Sequence, residues 1–393
     1  MASPTAGSLA QDAAHPIGLV LSGGGARGVF QVGVWKVLLD HPRGIGRAPL
    51  VISGTSAGAL NGALIAAGLQ PDDILAFWLD IAERPPVIAN ERFFKSLEST
   101  LGRLLLREPL RGPSPRWREA RILLSMLRKH AWYKPSGLLA MGLEFFMTAR
   151  FDTLSHLLEG ITTSYLFDTS EVRERLAKAI GGDTLRSPRV RLAINTVDIR
   201  TGGVVRIVNH KPEKSPRASS RHYRYEPELS LDMILASASI PLLFNPVQVG
   251  EHALWDGGLL VNSPMAPAVA LGATRIVPVL VTTSGTAIPA GEVPRTFGGA
   301  VERLVDAFLE NAYNIDRKLL LDRNALARET GDPHLREVDL FRAIRPQSGS
   351  LFDAGSYLYF EPRALMEMYQ AGQDAARAWL ARGPELDSRE IEE

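Results

Sequence analysis

Cysteine is absent from all 393 residues. That absence removes disulfides, thiolate nucleophiles, iron–sulfur clusters and Cys-ligated zinc together, so covalent chemistry has to use another nucleophile. It is compatible with a reducing compartment. Long apolar runs are missing too. No window of about 18 uninterrupted apolar residues occurs, which argues against a spanning helix, and the opening MASPTAGSLAQDAAHP has neither the basic start nor the apolar stretch of an export signal. Nor does charge of one sign dominate. Lys and Arg number 44 against 43 Asp and Glu, and this net of +1 argues against bulk nucleic-acid binding, which rests on a basic excess. The expectation is a cytoplasmic protein, with peripheral contact at the inner membrane surface left open and the oligomeric state undetermined.

What is present is enough apolar material, 45% of the chain, for one large α/β domain with insertions or two to three smaller units. Residues 1–16 read as a flexible N-terminus. IGLVLS at 17–22 is a continuous apolar run bounded by glycines, as expected of a strand buried on both faces of a parallel sheet. GGGARG follows, and residues 29–39 have apolar groups at helical spacing. The pattern then repeats: PLVIS ends at Ser53, GTSAG turns, and ALNGALIAAG reads as a small-residue helix. Strand, glycine turn and helix, twice over, is a βαβ arrangement, which places both turns at the carboxyl ends of adjacent parallel strands, where open α/β sheets put their sites. Residues 85–167 read as a helical insertion punctuated by prolines. Asp168 to Glu171 has the form of a capping box opening a helix through Ile180. Residues 190–209 read as two strands around Thr-Gly-Gly, 275–283 as a buried strand, 211–221 as a loop, Glu361 to Arg382 as a helix, and 383–393 as an acidic tail.

Gly54-Thr55-Ser56-Ala57-Gly58 matches the G-x-S-x-G nucleophile elbow, in which small neighbours let the chain double back so that the serine hydroxyl projects from a strained strand-to-helix turn. A plain tight turn is the alternative. Gly23-Gly24-Gly25-Ala26-Arg27-Gly28 satisfies G-x-G-x-x-G. A dinucleotide site needs an acid near the end of the next strand, yet that strand ends in Ile52-Ser53, and no phosphate loop of the G-x-x-x-x-G-K-[ST] type exists. The same glycines can aim backbone N–H groups at a developing negative charge, or simply permit close packing. Arg27 can attract a lipid phosphate or pair with an acid from a helix surface. Trp255-Asp256-Gly257-Gly258 reads in isolation as a hairpin turn, although a serine alcohol needs a base and a shielded carboxylate can serve. Of eight histidines, only His334 fits the Ser, Asp, His chain order of an α/β-hydrolase triad, and it lies in a polar stretch. His252, four residues before Asp256, would share its side of a strand. Asn262 and Pro264 shape the turn behind Asp256, and Thr196 and Asp198 read as structural hydrogen-bonding groups.

LSGGGARG at 21–28, SGTSAGALNG at 53–62, LASASIPLLFNPV from 235 and WDGGLLVNSP through 264 together resemble the patatin-like phospholipase family, in the family's order. The weaker likeness runs from about Ile17 to Leu280, and the 360–380 helix resembles the family's C-terminal helix. The resemblance implies a three-layer α/β/α fold with a mostly parallel central sheet, forming a hydrolase domain over 17–380 with the helical insertion inside it. It also implies a Ser–Asp dyad, with Ser56 as nucleophile, Asp256 as general base and residues 23–28 as oxyanion hole. The implied reaction is hydrolysis of phospholipid or lysophospholipid esters with no metal or other cofactor. In the mechanism this suggests, Gly24 and Gly25 with Ala57 supply the oxyanion donors. Three alternatives stand beside it: acyl transfer from the same acyl-serine, a nucleotide-binding module built on the glycine loop, and a non-catalytic membrane-binding or scaffolding protein.

One stretch departs from the balanced charge. Residues 103–134 carry nine Lys and Arg against Glu108 and Glu119, a net of +7, with Trp117, Trp132 and Tyr133 interleaved. This fits a segment resting on anionic lipid and equally an amphipathic helix with a solvated charged face.

Overall fold

A computed structural model describes residues 16–45, 51–83, 88–89, 92, 95–96, 165–187, 189–213, 222–283, 297–332, 335–347, 352, 357 and 359–387. The chain divides into two compact units, Met1–Ile88 with Thr169–Glu393, and Ala89–Asp168. In the second, Tyr165–Asp168 forms a short strand. Nearly all of the expected insertion, including the cationic stretch 103–134, lies outside the described residues.

The first unit is built on a nine-stranded sheet. Its strands are β1 (Ile17–Leu21), β2 (Val51–Thr55), β3 (Arg191–Asp198), β4 (Gly203–Val208), β5 (Tyr223–Tyr225), β6 (Val247–Val249), β7 (His252–Asp256), β8 (Arg275–Val279) and β9 (Asp339–Leu340). Strands β3, β2, β1, β8 and β9 lie side by side and parallel, in that order. Side-chain alternation sorts their apolar residues onto two buried faces. Leu19, Leu21, Ile52, Leu192, Ile194, Val277 and Val279 join one core, while Val20, Val51, Ala193 and Ile276 join the other.

Helices cover both faces. On the first lie α1 (Gly28–Asp40), α2 (Ala57–Ala66), α3 (Pro71–Glu83), α4 (Ser170–Ile180), α5 (Leu231–Ala236) and, last in the chain, α8 (Pro362–Arg382); on the second lie α6 (Met265–Ala270) and α7 (Phe297–Thr330). This is the three-layer α/β/α architecture with a mostly parallel sheet. Chain connections run from β1 outward through β2 to β3 on one side, and β8 returns on the other, so β1 flanks the point where strand order reverses. Sites of open α/β sheets form outside the carboxyl ends of strands at such a point.

The antiparallel hairpin of β6 and β7 fixes the site. Along β3, one edge pairs with β4 from Ala193 to Asp198. The opposite edge pairs first with β2, ending at Thr55 opposite Asn195, and then with β7, where Asp256 stands opposite Thr196. Because β2 turns away after Thr55, the rest of that edge is open, and β7 fills it from the other direction. The end of β2 and the end of β7 therefore meet head to head.

Four local readings are corrected. Strand β2 runs on to Thr55 rather than ending at Ser53, because it pairs with β1 through Gly54 and with β3 through Thr55. The capping box at Asp168–Glu171 does not form: the cap position is Thr169, which makes no side-chain cap bond and whose hydroxyl donates to Asn245 Oδ1 at 3.1 Å. Asp256-Gly257 is not a hairpin turn, since β7 ends there and Gly257–Leu259 coils into a 3₁₀ turn. Pairing of the 275–283 strand stops at Val279, after which the chain stays buried through Thr282.

Candidate active site

Ser56 follows β2 and caps α2 with φ 55° and ψ −124°, a conformation sparsely populated by non-glycine residues and held only where its surroundings over-determine it. Three contacts do so. The Ser56 N–H donates to Ser237 Oγ at 2.9 Å, and the Ser237 hydroxyl donates to the Asn195 carbonyl at 2.6 Å. Thr55 Oγ1 donates to the Val261 carbonyl at 2.9 Å. The turn also needs room behind it: a methyl on Gly58 would lie 2.2 Å from the Leu21 carbonyl oxygen. Gly54, Thr55, Ala57 and Gly58 thus form the elbow read from the sequence, with Ser56 only 6% exposed.

The glycine turn leaves the end of β1 beside this elbow, where a methyl on Gly23 would stand 3.1 Å from Ser56 Cβ. Its six N–H groups are not equivalent. Gly23 N–H is bound to Asn262, at 3.3 Å to its carbonyl and 3.0 Å to its Oδ1. Arg27 N–H donates to the Gly24 carbonyl, and Gly28 N–H to carbonyls of its own turn. Among the described residues no acceptor stands on the N–H of Gly24, Gly25 or Ala26. The loop N–H groups open to an acceptor therefore narrow to these three, with the first-turn N–H of Ala57, which helix geometry leaves without an intrahelical partner. Gly25 holds φ +56°, and a methyl there would sit 2.1 Å from the Tyr357 carbonyl oxygen. The Arg27 side chain does not reach solvent: it is 0% exposed and pairs with Asp306 at 3.2 Å, which corrects the reading of a phosphate-attracting group and supports the acid-pairing one, inside the core instead of on a helix surface.

Asp256 ends β7 facing Ser56. Its Oδ1 accepts from Gly258 N–H at 2.7 Å, and the Ser56 side chain stands near enough to act on its ionisation. Burial pushes this carboxyl up to about 7, against the hydrogen bonds of Gly258 and Ser56, which work to lower it. A carboxylate tuned near neutrality, beside an alcohol in a strained elbow with helix N-termini around it, can take the alcohol's proton. Gly257 lets β7 turn against the Asn195 carbonyl, and Gly258 supplies the bond just named.

The family model described as "Patatin-like phospholipase" matches residues 19–269, more than half of the chain, and spans the glycine turn, Ser56 and Asp256. The chain belongs to the patatin-like phospholipase family. Lysophospholipase nte1 of Aspergillus terreus is 56% identical over 50 residues, which are 13% of this chain and 3% of that protein. The chain thus spans only a small part of that relative. Among solved structures, VipD from Legionella pneumophila is 14% identical with a TM-score of 0.37, covering 95% of this chain and 68% of that one. The ExoU–SpcU heterodimer from the type III secretion system of Pseudomonas aeruginosa is 16% identical at 0.25, covering 93% and 60%. Family membership supports lipid hydrolase activity with a lipid substrate.

As a patatin-like chain, this one leaves other sequence candidates apart from the serine. His252 bonds Asp198 at 3.0 Å at the far end of β7. Against the burial that works to raise it, His252 and the Arg200 N–H hold Asp198 below the usual carboxylate range. Thr196 Oγ1 donates to the Val205 carbonyl, so both Thr196 and Asp198 are structural. His334 lies outside the described residues. Among the described residues no cluster of three or more His, Asp or Glu is arranged to hold a metal. Two groups escaped sequence reasoning: Ser237, inside the small-residue run ASAS, and Asn262, read only as a turn former. Both bond the site backbone over separations of 181 and 239 residues; the run of small residues around Ser237 was the one local signal.

Proposed function

We propose that this chain is a serine lipid acyl hydrolase that cleaves carboxylic ester bonds of phospholipids or lysophospholipids through a Ser56–Asp256 dyad. The observation that carries the reading is the meeting of β2 and β7 on adjacent residues of β3, which sets Asp256, a buried carboxyl pushed up to about 7, against the Ser56 elbow. Asp256 takes the Ser56 proton as the oxygen attacks the ester carbonyl. The tetrahedral oxyanion is met by N–H groups of Gly24, Gly25 and Ala57. Collapse breaks the ester C–O bond, and the leaving alcohol takes the proton from Asp256. Water then attacks the acyl-serine, giving its proton to Asp256, and the acid departs as Ser56 is reprotonated. Each oxyanion donor of this type is worth roughly 10²- to 10³-fold in rate.

A fluorophosphonate probe with site mapping, followed by a panel of lipid esters, tests this. The parent protein labels at Ser56 and releases fatty acid, and Ser56→Ala does neither. Labelling slows as pH falls through about 7, where Asp256 becomes protonated. Label on another residue, or fatty acid release by folded Ser56→Ala, defeats the reading. Transfer of the acyl group to an added alcohol in place of free acid would redirect it to acyl transfer.

A further inference from the structure

The glycine loop is held from outside the family-matched segment. Arg27 leaves the loop into the layer between sheet and α7, where its guanidinium stacks 3.7 Å over the Tyr357 ring. Its Nη1 donates to Asp306 Oδ1 at 3.2 Å and to the Val281 carbonyl at 3.4 Å. The same Asp306 oxygen accepts from Tyr357 Oη at 2.8 Å, a phenol whose ionisation burial pushes far up. The Tyr357 carbonyl in turn presses on Gly25. Asp306, on α7, and Tyr357 thus grip both the side chain that anchors the loop and the backbone of the loop itself.

We propose that Asp306 is a positioning residue for the oxyanion loop, acting through Arg27. The inference rests on the serine hydrolase reading above. A fully buried guanidinium stays in place only while it is paired. Without Asp306 the link between Arg27 and Tyr357 is cut, and the 3₁₀ turn Gly25–Arg27 shifts, carrying the N–H groups of Gly24 and Gly25 away from where the oxyanion forms. Asp306 touches neither Ser56 nor substrate, so its loss acts on transition-state stabilisation and not on ground-state binding. Glu310, one turn further along α7, binds Arg345 and Thr282.

The experiment compares the parent protein with Asp306→Ala, Asp306→Asn and Tyr357→Phe on a soluble p-nitrophenyl ester, with Ser56→Ala as reference. Asp306→Ala lowers kcat by about 10- to 100-fold, a fraction of the loss of one whole donor, with KM within about twofold, and slows fluorophosphonate labelling in parallel. Asp306→Asn, which keeps an acceptor for both partners, recovers most of the rate, and Tyr357→Phe falls between the two. A folded Asp306→Ala protein with parental kcat, or one whose loss is entirely in KM, overturns the proposal. If Asp306→Ala does not fold, a Tyr357→Phe protein with unchanged kcat overturns it as well. An inactive parent, or an active Ser56→Ala protein, overturns instead the hydrolase reading on which the proposal rests.

Discussion

Replacing Asp256 with asparagine should make the protein more stable in proportion to pH. Burial moves this carboxyl from an ordinary 3.8 to about 7. Between those values the folded protein keeps a proton that the unfolded chain has already released, so folding stability falls as pH rises through the window and levels off above about 7. Three units at about 1.36 kcal/mol each amount to roughly 4 kcal/mol withheld at pH 8 relative to strongly acidic pH, of which about 3 kcal/mol develops between pH 4.5 and 8. Asparagine has the same shape, still accepts from Gly258, and has no charge to desolvate. At roughly 2.1 cal/mol/K of unfolding entropy per residue, a chain of this length shifts by a little over 1 °C per kcal/mol. The melting-temperature advantage of Asp256→Asn over the parent should therefore be about 4 °C wider at pH 8 than at pH 4.5, measured by calorimetry or dye-free fluorescence across that range. The comparison has to be a difference, because burial also raises the Asp316 carboxyl to about 7, and that titration is common to both proteins. An advantage that is flat or shrinks with pH would refute both the buried-charge account and the tuning of Asp256 as a base.

Two further outcomes follow from the site geometry. Gly25→Ala forces a methyl to within 2.1 Å of the Tyr357 carbonyl at φ +56°, so the loop must move; kcat on a soluble ester should fall at least about 100-fold, as for loss of an oxyanion donor, and retention of parental kcat would show that the loop does not serve the oxyanion. Ser237→Ala strips the acceptor from the Ser56 N–H and the donor from the Asn195 carbonyl; roughly 1–3 kcal/mol of stability should be lost, read by urea unfolding, with fluorophosphonate labelling about tenfold slower, and unchanged labelling would mean that the elbow holds itself.

The elbow and the glycine loop were legible because each is a local device: a strand, a turn that only small residues permit, and a helix, within the consecutive stretches 51–66 and 17–40. Asp256 was legible only through family resemblance. Read alone, Asp-Gly between apolar stretches is a hairpin turn, and nothing local says that β7 ends against an already occupied strand edge. Asp256 is brought beside Ser56 by pairing β7 with β3 across roughly sixty residues of sequence. His252 misled for a related reason, since period-two spacing puts it on the face of Asp256 but four residues of extended chain carry it to the opposite end, where Asp198 holds it. Arg27 looked like a surface cation because its partner Asp306 lies 279 residues away, on a helix that gave no signal in the sequence reading. Nor does G-x-G-x-x-G reveal that Asn262 claims the Gly23 N–H.

Strand β3 supplies no group to the chemistry, yet it acts as the ruler of the site. Asn195 and Thr196 are consecutive, and their partners across one edge are Thr55, the residue before Ser56, and Asp256. The spacing of acid and alcohol is thus written in backbone register, one step along a strand, and not in the side chains of that strand. Substitutions within 191–198 that preserve extended geometry should be forgiven. An added or deleted residue between 195 and 196 would part the two ends of the splice by a full step while leaving every catalytic side chain in the sequence, so a chain can carry the complete motif and still be inert.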